Sequence, residues 1–222
     1  YKISKKIGFA FFADSKIVND SLRGLESFSH TWINVDLNKK IEIINNFSNL
    51  MELNYKNLVE ACVREAGKTV NDAIADIREA IDFCRYYCVQ AKELQREVTL
   101  PGPTGESNKY VFRGKGLSIV ISPWNFPIAI FTGQLVAALI TGNVVLAKPA
   151  EQSSYCAYII FKLLLKAGLP KQAASLILGK GEEIGSQLFT SNYLENVIFT
   201  GSLETAKIIQ RQLIERKNMD TM

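Results

Sequence analysis

Apolar residues recur at helical spacing from Lys39 to Ala66, at Ile41, Ile44, Phe47, Leu50, Leu58 and Cys62, and predict one helix that Gly67 stops. From Thr69 to Gln95 the period returns at Val70, Ala73, Ile74, Ile77, Ile81, Cys84 and Cys88, with Asn71 and Asp72 suited to the opening turn. A Gly/Pro-rich passage, Val98 to Gly116, then interrupts the helices and encloses a short β-rich run, Lys109 to Arg113. After it, short continuous apolar runs alternate with helical ones. Strands are predicted at 117–122, 144–147, 175–178 and 196–199, and helices at 127–141, 153–167, 182–189 and 203–216. Apolar strands separated by helices are what a parallel sheet covered on both faces requires. The expected fold class is therefore α/β, a parallel sheet flanked by helices and preceded by a helical segment and a β-arm.

With 222 residues and 47% hydrophobic content, the chain is long enough to bury a core, and its composition does not indicate disorder. Its net charge of +4 comes from 26 basic and 22 acidic residues with no long basic run beyond Lys39-Lys40 and Arg216-Lys217, so no nucleic-acid partner is expected. No apolar stretch reaches the roughly 18 to 20 residues of a membrane helix, so no transmembrane segment is expected. Tyr1 begins neither a signal peptide nor a natural start, and the chain reads as an excised piece of a cytoplasmic protein. The four cysteines, Cys62, Cys84, Cys88 and Cys156, fall in predicted helices without zinc or disulfide spacing and are read as reduced thiols. Cys84 and Cys88 are i,i+4 neighbours, but His30 is the single histidine, so no metal site is expected.

Polar residues gather where apolar strands end, and in open α/β sheets that edge is where ligands bind. In Ile121-Ser122-Pro123-Trp124-Asn125-Phe126-Pro127 two prolines fix the loop's course. The Asn125 amide there is either a donor to a developing oxyanion or a turn residue bonding its own backbone. In the stretch LAKPAEQ, Lys148 and Glu151 can hold the two hydroxyls of a ribose, and the carboxylate would repel a 2′-phosphate, favouring NAD over NADP. The alternative is an ordinary surface pair. Gly179-Lys180-Gly181 with Gly185 reads G-x-G-x-x-x-G, one residue longer than the standard dinucleotide fingerprint, and is either a cofactor loop or a tight strand-to-helix turn. Phe199-Thr200-Gly201-Ser202 opens a helix whose free amides suit a pyrophosphate, or else Ser202 is a plain N-cap.

In this order and at these separations, ISPWNFP, LAKPAEQ, GKGEEIG and FTGS resemble the aldehyde dehydrogenase superfamily. The form KPAEQ, the following LLLKAGLP and the upstream REAGKTVNDAIADIREAIDFCRYY resemble its Δ1-pyrroline-5-carboxylate dehydrogenase branch, most of all the aldehyde dehydrogenase domain of bifunctional bacterial proline utilisation A proteins. The likeness runs over essentially the whole chain and is strongest from Arg64 to Gln212. It implies that residues 1–97 are the mainly helical part of a cofactor-binding domain. Residues 98–116 would be a β-arm used in subunit contacts of a homo-oligomer, and residues 117–222 a Rossmann-like dinucleotide-binding core. It further implies an NAD site formed by Ile121, Ser122, Pro123, Trp124, Lys148, Ala150, Glu151, Gly181, Gly185, Phe199, Thr200, Gly201, Ser202 and Thr205. Asn125 would donate to the oxyanion of a thiohemiacetal. Glu79 matches a glutamate near the aldehyde entrance, although by its own position it reads as a solvated helix face.

In relatives a cysteine thiolate attacks the aldehyde, hydride passes to NAD and a glutamate activates water, and both side chains lie downstream of the stretch matched here. The catalytic domain is thus expected to be absent, and the chain inactive alone. The parent is expected to oxidise glutamate semialdehyde, a small-molecule aldehyde, to glutamate in proline catabolism, with an FAD-containing proline dehydrogenase domain as a possible neighbour. Two other readings stand beside this one: a nucleotide-binding or structural module without chemistry, and a sister dehydrogenase acting on another semialdehyde.

Overall fold

The computed structural model describes residues 6–189 and 192–219; Tyr1 and Met222, on which the reading of an excised piece rests, lie outside them. A helix not foreseen from the sequence, α1 (Ser15–Ile33), comes first, with the Asp14 carboxylate accepting from the Ile17 amide at 2.8 Å. Its Val18, Leu22, Leu25 and Trp32 are buried. The single helix expected over 39–66 is in fact two, α2 (Leu37–Leu53) and α3 (Tyr55–Ala66). The break falls at Asn54, whose Nδ2 donates to the Leu50 carbonyl at 2.7 Å and closes the end of α2 with its own side chain. Both pieces keep an apolar face inward, so periodicity does not reveal the break. Gly67 stops α3 as expected, at φ 66°, a left-handed conformation that glycine adopts at little cost. Thr69 then caps α4 (Val70–Leu94), accepting from the Asp72 amide at 3.1 Å.

Beyond α4 the chain leaves the helices as a small antiparallel arm, β1 (Val98–Leu100) on β2 (Asn108–Tyr110). The strand expected at 109–113 is shorter and starts earlier, because its partner has three residues and the ladder ends where Tyr110 meets Val98. Alternation follows: β3 (Leu117–Ser122), α5 (Ala129–Ile140), β4 (Val144–Pro149), α6 (Ser154–Lys166), β5 (Ala174–Leu176), α7 (Gly181–Phe189), β6 (Leu194–Phe199) and α8 (Leu203–Met219). β5, β4, β3 and β6 lie side by side in that order as one parallel sheet, so the α/β class read from the sequence is the one found.

β6 begins two residues earlier than expected, at Leu194, and α5 two later, at Ala129; two further boundaries differ for reasons visible in the hydrogen bonds and pairing. β5 stops at Leu176 rather than Leu178: the Ile177 amide still donates to the Ala147 carbonyl at 2.9 Å, but the Leu178 carbonyl accepts from Ala13 at 2.8 Å. β4 runs on to Pro149, so Lys148 belongs to the strand instead of following it.

Helices and sheet share one hydrophobic core that runs from Val18 to Ile209. α5 is buried on nearly every side, between the sheet and α2 and α4, which explains its almost wholly apolar sequence. Among the described residues no helix is long and apolar enough to cross a membrane.

Candidate functional site

Parallel pairing brings the strand ends to one edge. Ile121 lies opposite Lys148 on one side and Phe199 on the other, and Ser122 lies opposite Pro149. The pairing continues past the strands, with the Ala150 amide donating to the Ser122 carbonyl at 2.9 Å and the Thr200 amide to the Ile121 carbonyl at 3.1 Å. Three of the polar turns picked out from the sequence therefore leave the sheet as neighbours along one rim.

Lys148 is buried, and its Nζ donates to the Pro149 carbonyl at 3.2 Å and lies 3.8 Å from Glu151 Oε2. Burial pushes the lysine below its usual range, and the Glu151 charge partly offsets this. Glu151 opens a short 3₁₀ turn, Glu151–Ser153, with its side chain 37% exposed. The two are not an ordinary surface pair, since one partner is almost completely desolvated. A buried ammonium beside a half-exposed carboxylate presents a donor and an acceptor at one spot, the combination a vicinal diol accepts.

The loop after β3 holds Trp124 and Asn125 out into solvent, while Ser122 at its start and Pro127 and Ile128 at its end are buried. Ser122 Oγ has no hydrogen-bond partner among the described residues. A buried hydroxyl without a partner is uncommon and marks a place where a ligand atom or water fits. On the far side of β3, Ser202 caps α8: its Oγ accepts from the Thr205 amide at 3.1 Å and lies 2.9 Å from Thr205 Oγ1. The capping role thus holds, while Gly201, Ser202 and Thr205 remain exposed to whatever approaches that helix start.

Gly181 opens α7 and Gly185 lies within it. A Cβ built at Gly181 meets nothing within 4 Å, and one at Gly185 meets only Phe189 Cε2 at 3.9 Å. Close packing inside the chain does not require glycine at either position, so the open space faces outward. Gly201 differs, because a Cβ there would lie 2.5 Å from the Phe199 ring.

Glu79 stands apart from the rim. It is exposed on α4, where with Arg78, Asp82, Phe83 and Tyr86 it borders a surface cavity of about 530 Å³. None of the four cysteines offers a nucleophile here. All are buried and unbridged, with Cys88 pushed up by burial to about 11, Cys84 raised by burial and the neighbouring Cys88, and Cys156 raised by its hydrogen bond with Cys62 and by burial. No group of three or more potential metal ligands occurs among the described residues.

Two contacts escaped sequence reasoning. Gln134, buried in α5, donates from Nε2 to Thr200 Oγ1 at 2.9 Å and ties that helix to the turn after β6. Asp76, fully buried in α4, accepts from the Ala129 amide at 2.7 Å at the start of α5. Each has a visible signal, a polar residue on an otherwise apolar helical face.

Comparison with known proteins places these features in context. The model of the aldehyde dehydrogenase family matches residues 5–221. The bifunctional protein PutA of Salmonella typhimurium is 38% identical over 210 residues, 95% of this chain and 15% of that protein. A 1-pyrroline-5-carboxylate dehydrogenase of Staphylococcus aureus is 32% identical over 218 residues, 98% of this chain and 42% of that one. A solved mutant of proline utilization A from Bradyrhizobium japonicum superposes with a TM-score of 0.90 at 40% identity, over 92% of this chain and 21% of that one. The chain thus spans between 15% and 42% of the length of these relatives.

Proposed function

This chain belongs to the aldehyde dehydrogenase family, and from that premise we propose that it forms the cofactor-binding part of an NAD-dependent enzyme oxidising glutamate semialdehyde to glutamate. The observation that carries the cofactor assignment is the buried Lys148 ammonium set against the half-exposed Glu151 carboxylate at the rim. The substrate assignment rests on likeness to a 1-pyrroline-5-carboxylate dehydrogenase and to PutA proteins.

The residues present suit NAD. Lys148 would donate to one ribose hydroxyl and Glu151 would accept from its neighbour, and the carboxylate would disfavour a phosphate at that position. The start of α8, with Gly201, Ser202 and Thr205, would receive the pyrophosphate, where free amides and the positive helix end favour an anion. The open space at Gly181 and Gly185 would let the cofactor approach the backbone of α7, and Ile121, Ser122, Pro123, Trp124, Ala150, Phe199 and Thr200 would complete its binding surface. When bound, NAD supplies the hydride acceptor. Asn125, held out by a loop pinned at both ends, donates its amide to the aldehyde oxygen as negative charge gathers there. Glu79 borders the approach of the aldehyde.

In the complete protein, residues 1–97 support this site, residues 98–116 form an arm for subunit contacts in a homo-oligomer, and residues 117–222 hold the cofactor. The thiolate and the water-activating carboxylate come from elsewhere in the protein, which acts in the cytoplasm and in its bifunctional form carries FAD in a separate proline dehydrogenase domain. Steady-state reduction of NAD by the complete protein tests the reading. Glutamate semialdehyde is expected to give the highest kcat/KM among semialdehydes. A clear preference for succinate semialdehyde, or for NADP, would overturn the respective assignment.

A further inference from the structure

We propose that Lys68 and Asp76 are positioning residues for Asn125, clamping the loop that carries it through a buried charge pair. The inference rests on the reading of Asn125 as the oxyanion donor. Asp76 is fully buried and its two oxygens are used separately. Oδ1 accepts from the Ala129 amide at 2.7 Å, where the loop passes into α5, and Oδ2 lies 3.3 Å from Lys68 Nζ and 3.9 Å from Cys62 Sγ. The same ammonium sits 4.0 Å from the centre of the Phe126 ring, next in sequence to Asn125. Lys68 directly follows the left-handed turn at Gly67, φ 66°, and its side chain is 10% exposed.

Three segments therefore meet at one carboxylate: the end of α3 through Lys68, the inner face of α4 through Asp76 itself, and the first turn of α5 through Ala129. A carboxylate at a helix start is favoured by the helix dipole, and an ammonium over an aromatic face by the ring quadrupole. Both interactions are directional. Apolar contacts would hold the loop against the core while tolerating a slip along it; this clamp fixes the helix start on one side of Asn125 and the ring of Phe126 on the other. Position matters because an amide donor works only when it sits within hydrogen-bond distance of the developing charge, and a displacement of about 1 Å can cost 10²-fold in rate.

The test uses the complete protein, with kcat, the KM for NAD and thermal unfolding measured for Lys68→Met, Lys68→Arg, Phe126→Leu and Asn125→Ala, and for the double variant Lys68→Met/Asn125→Ala. Lys68→Met keeps the apolar stem and removes the charge. It is expected to lower kcat roughly 10- to 100-fold with little change in the KM for NAD, and Lys68→Arg to restore most of the loss. Phe126→Leu, which keeps the bulk and removes the ring face, is expected to repeat the kcat defect and serves if Lys68→Met fails to fold. In the double variant, Lys68→Met is expected to cost little beyond Asn125→Ala, since there is no longer a donor to misplace. If Asn125→Ala alone leaves kcat unchanged, the oxyanion reading falls and this inference with it. If Asn125→Ala lowers kcat but Lys68→Met and Phe126→Leu do not, or their losses multiply with it, the clamp alone is overturned.

Discussion

Lys148 Nζ lies 3.8 Å from Glu151 Oε2, with the lysine side chain 7% exposed and the glutamate 37%. The carboxylate thus keeps contact with solvent and with any ligand arriving at the rim. Glu151→Gln removes its charge while keeping its length. The ratio of kcat/KM for NADP to that for NAD is expected to rise about tenfold, equivalent to roughly 1.4 kcal/mol, in the complete enzyme. An unchanged ratio would remove Glu151 from the ribose site.

Burial of the same lysine gives a pH dependence. Its folded-state pKa is lowered, so at neutral pH the folded chain holds that proton less readily than the unfolded chain does. The stability tied to Lys148 is therefore present above the ordinary lysine range and lost as pH falls through the lowered value. Relative to wild type, Lys148→Met without cofactor is expected to be at its most favourable near pH 7 and to lose ground as pH rises towards the ordinary lysine range. Urea unfolding across that range measures this. A variant advantage that grows with pH would contradict the sign.

Asn125→Ala is expected to lower kcat by about 10²- to 10³-fold while leaving the Kd for NAD within about twofold, because the amide acts on charge that develops only in the transition state. Stopped-flow binding and turnover on the same preparation separate the two quantities. Equal weakening of both would assign the loop to cofactor binding.

At Gly185 stability and binding are expected to move in opposite directions. An added Cβ meets only Phe189 Cε2 at 3.9 Å, and the position lies inside α7. Gly185→Ala is expected to stabilise the cofactor-free protein by up to ~1 kcal/mol, from helix propensity, and to weaken NAD binding. Differential scanning calorimetry with and without NAD reads both effects. A variant that is stabilised and binds NAD as tightly as before would place the cofactor elsewhere.

The parallel sheet was legible because β3 and β4 are continuous apolar runs, which only burial on both faces explains. The turns after β3, β4 and β6 were legible for the same reason, since strand ends locate the rim. What stayed hidden was tertiary. The break at Asn54 leaves the apolar period intact, and the early end of β5 depends on Ala13, far away in sequence. Lys148 reads from the sequence as a loop residue because lysine seldom occupies a fully buried strand position. Asp76 and Gln134 do not stand out in the sequence because the apolar positions around them define the helices by themselves. Their importance lies in partners 53 and 66 residues away.

The burial of all four thiols bears on chemical labelling of the complete protein. A fast-acting electrophile such as iodoacetamide meets no accessible sulfur among Cys62, Cys84, Cys88 and Cys156. Rapid alkylation under native conditions is therefore expected at none of these four positions. Mass spectrometry of the peptides after a short pulse of reagent reads that protection thiol by thiol.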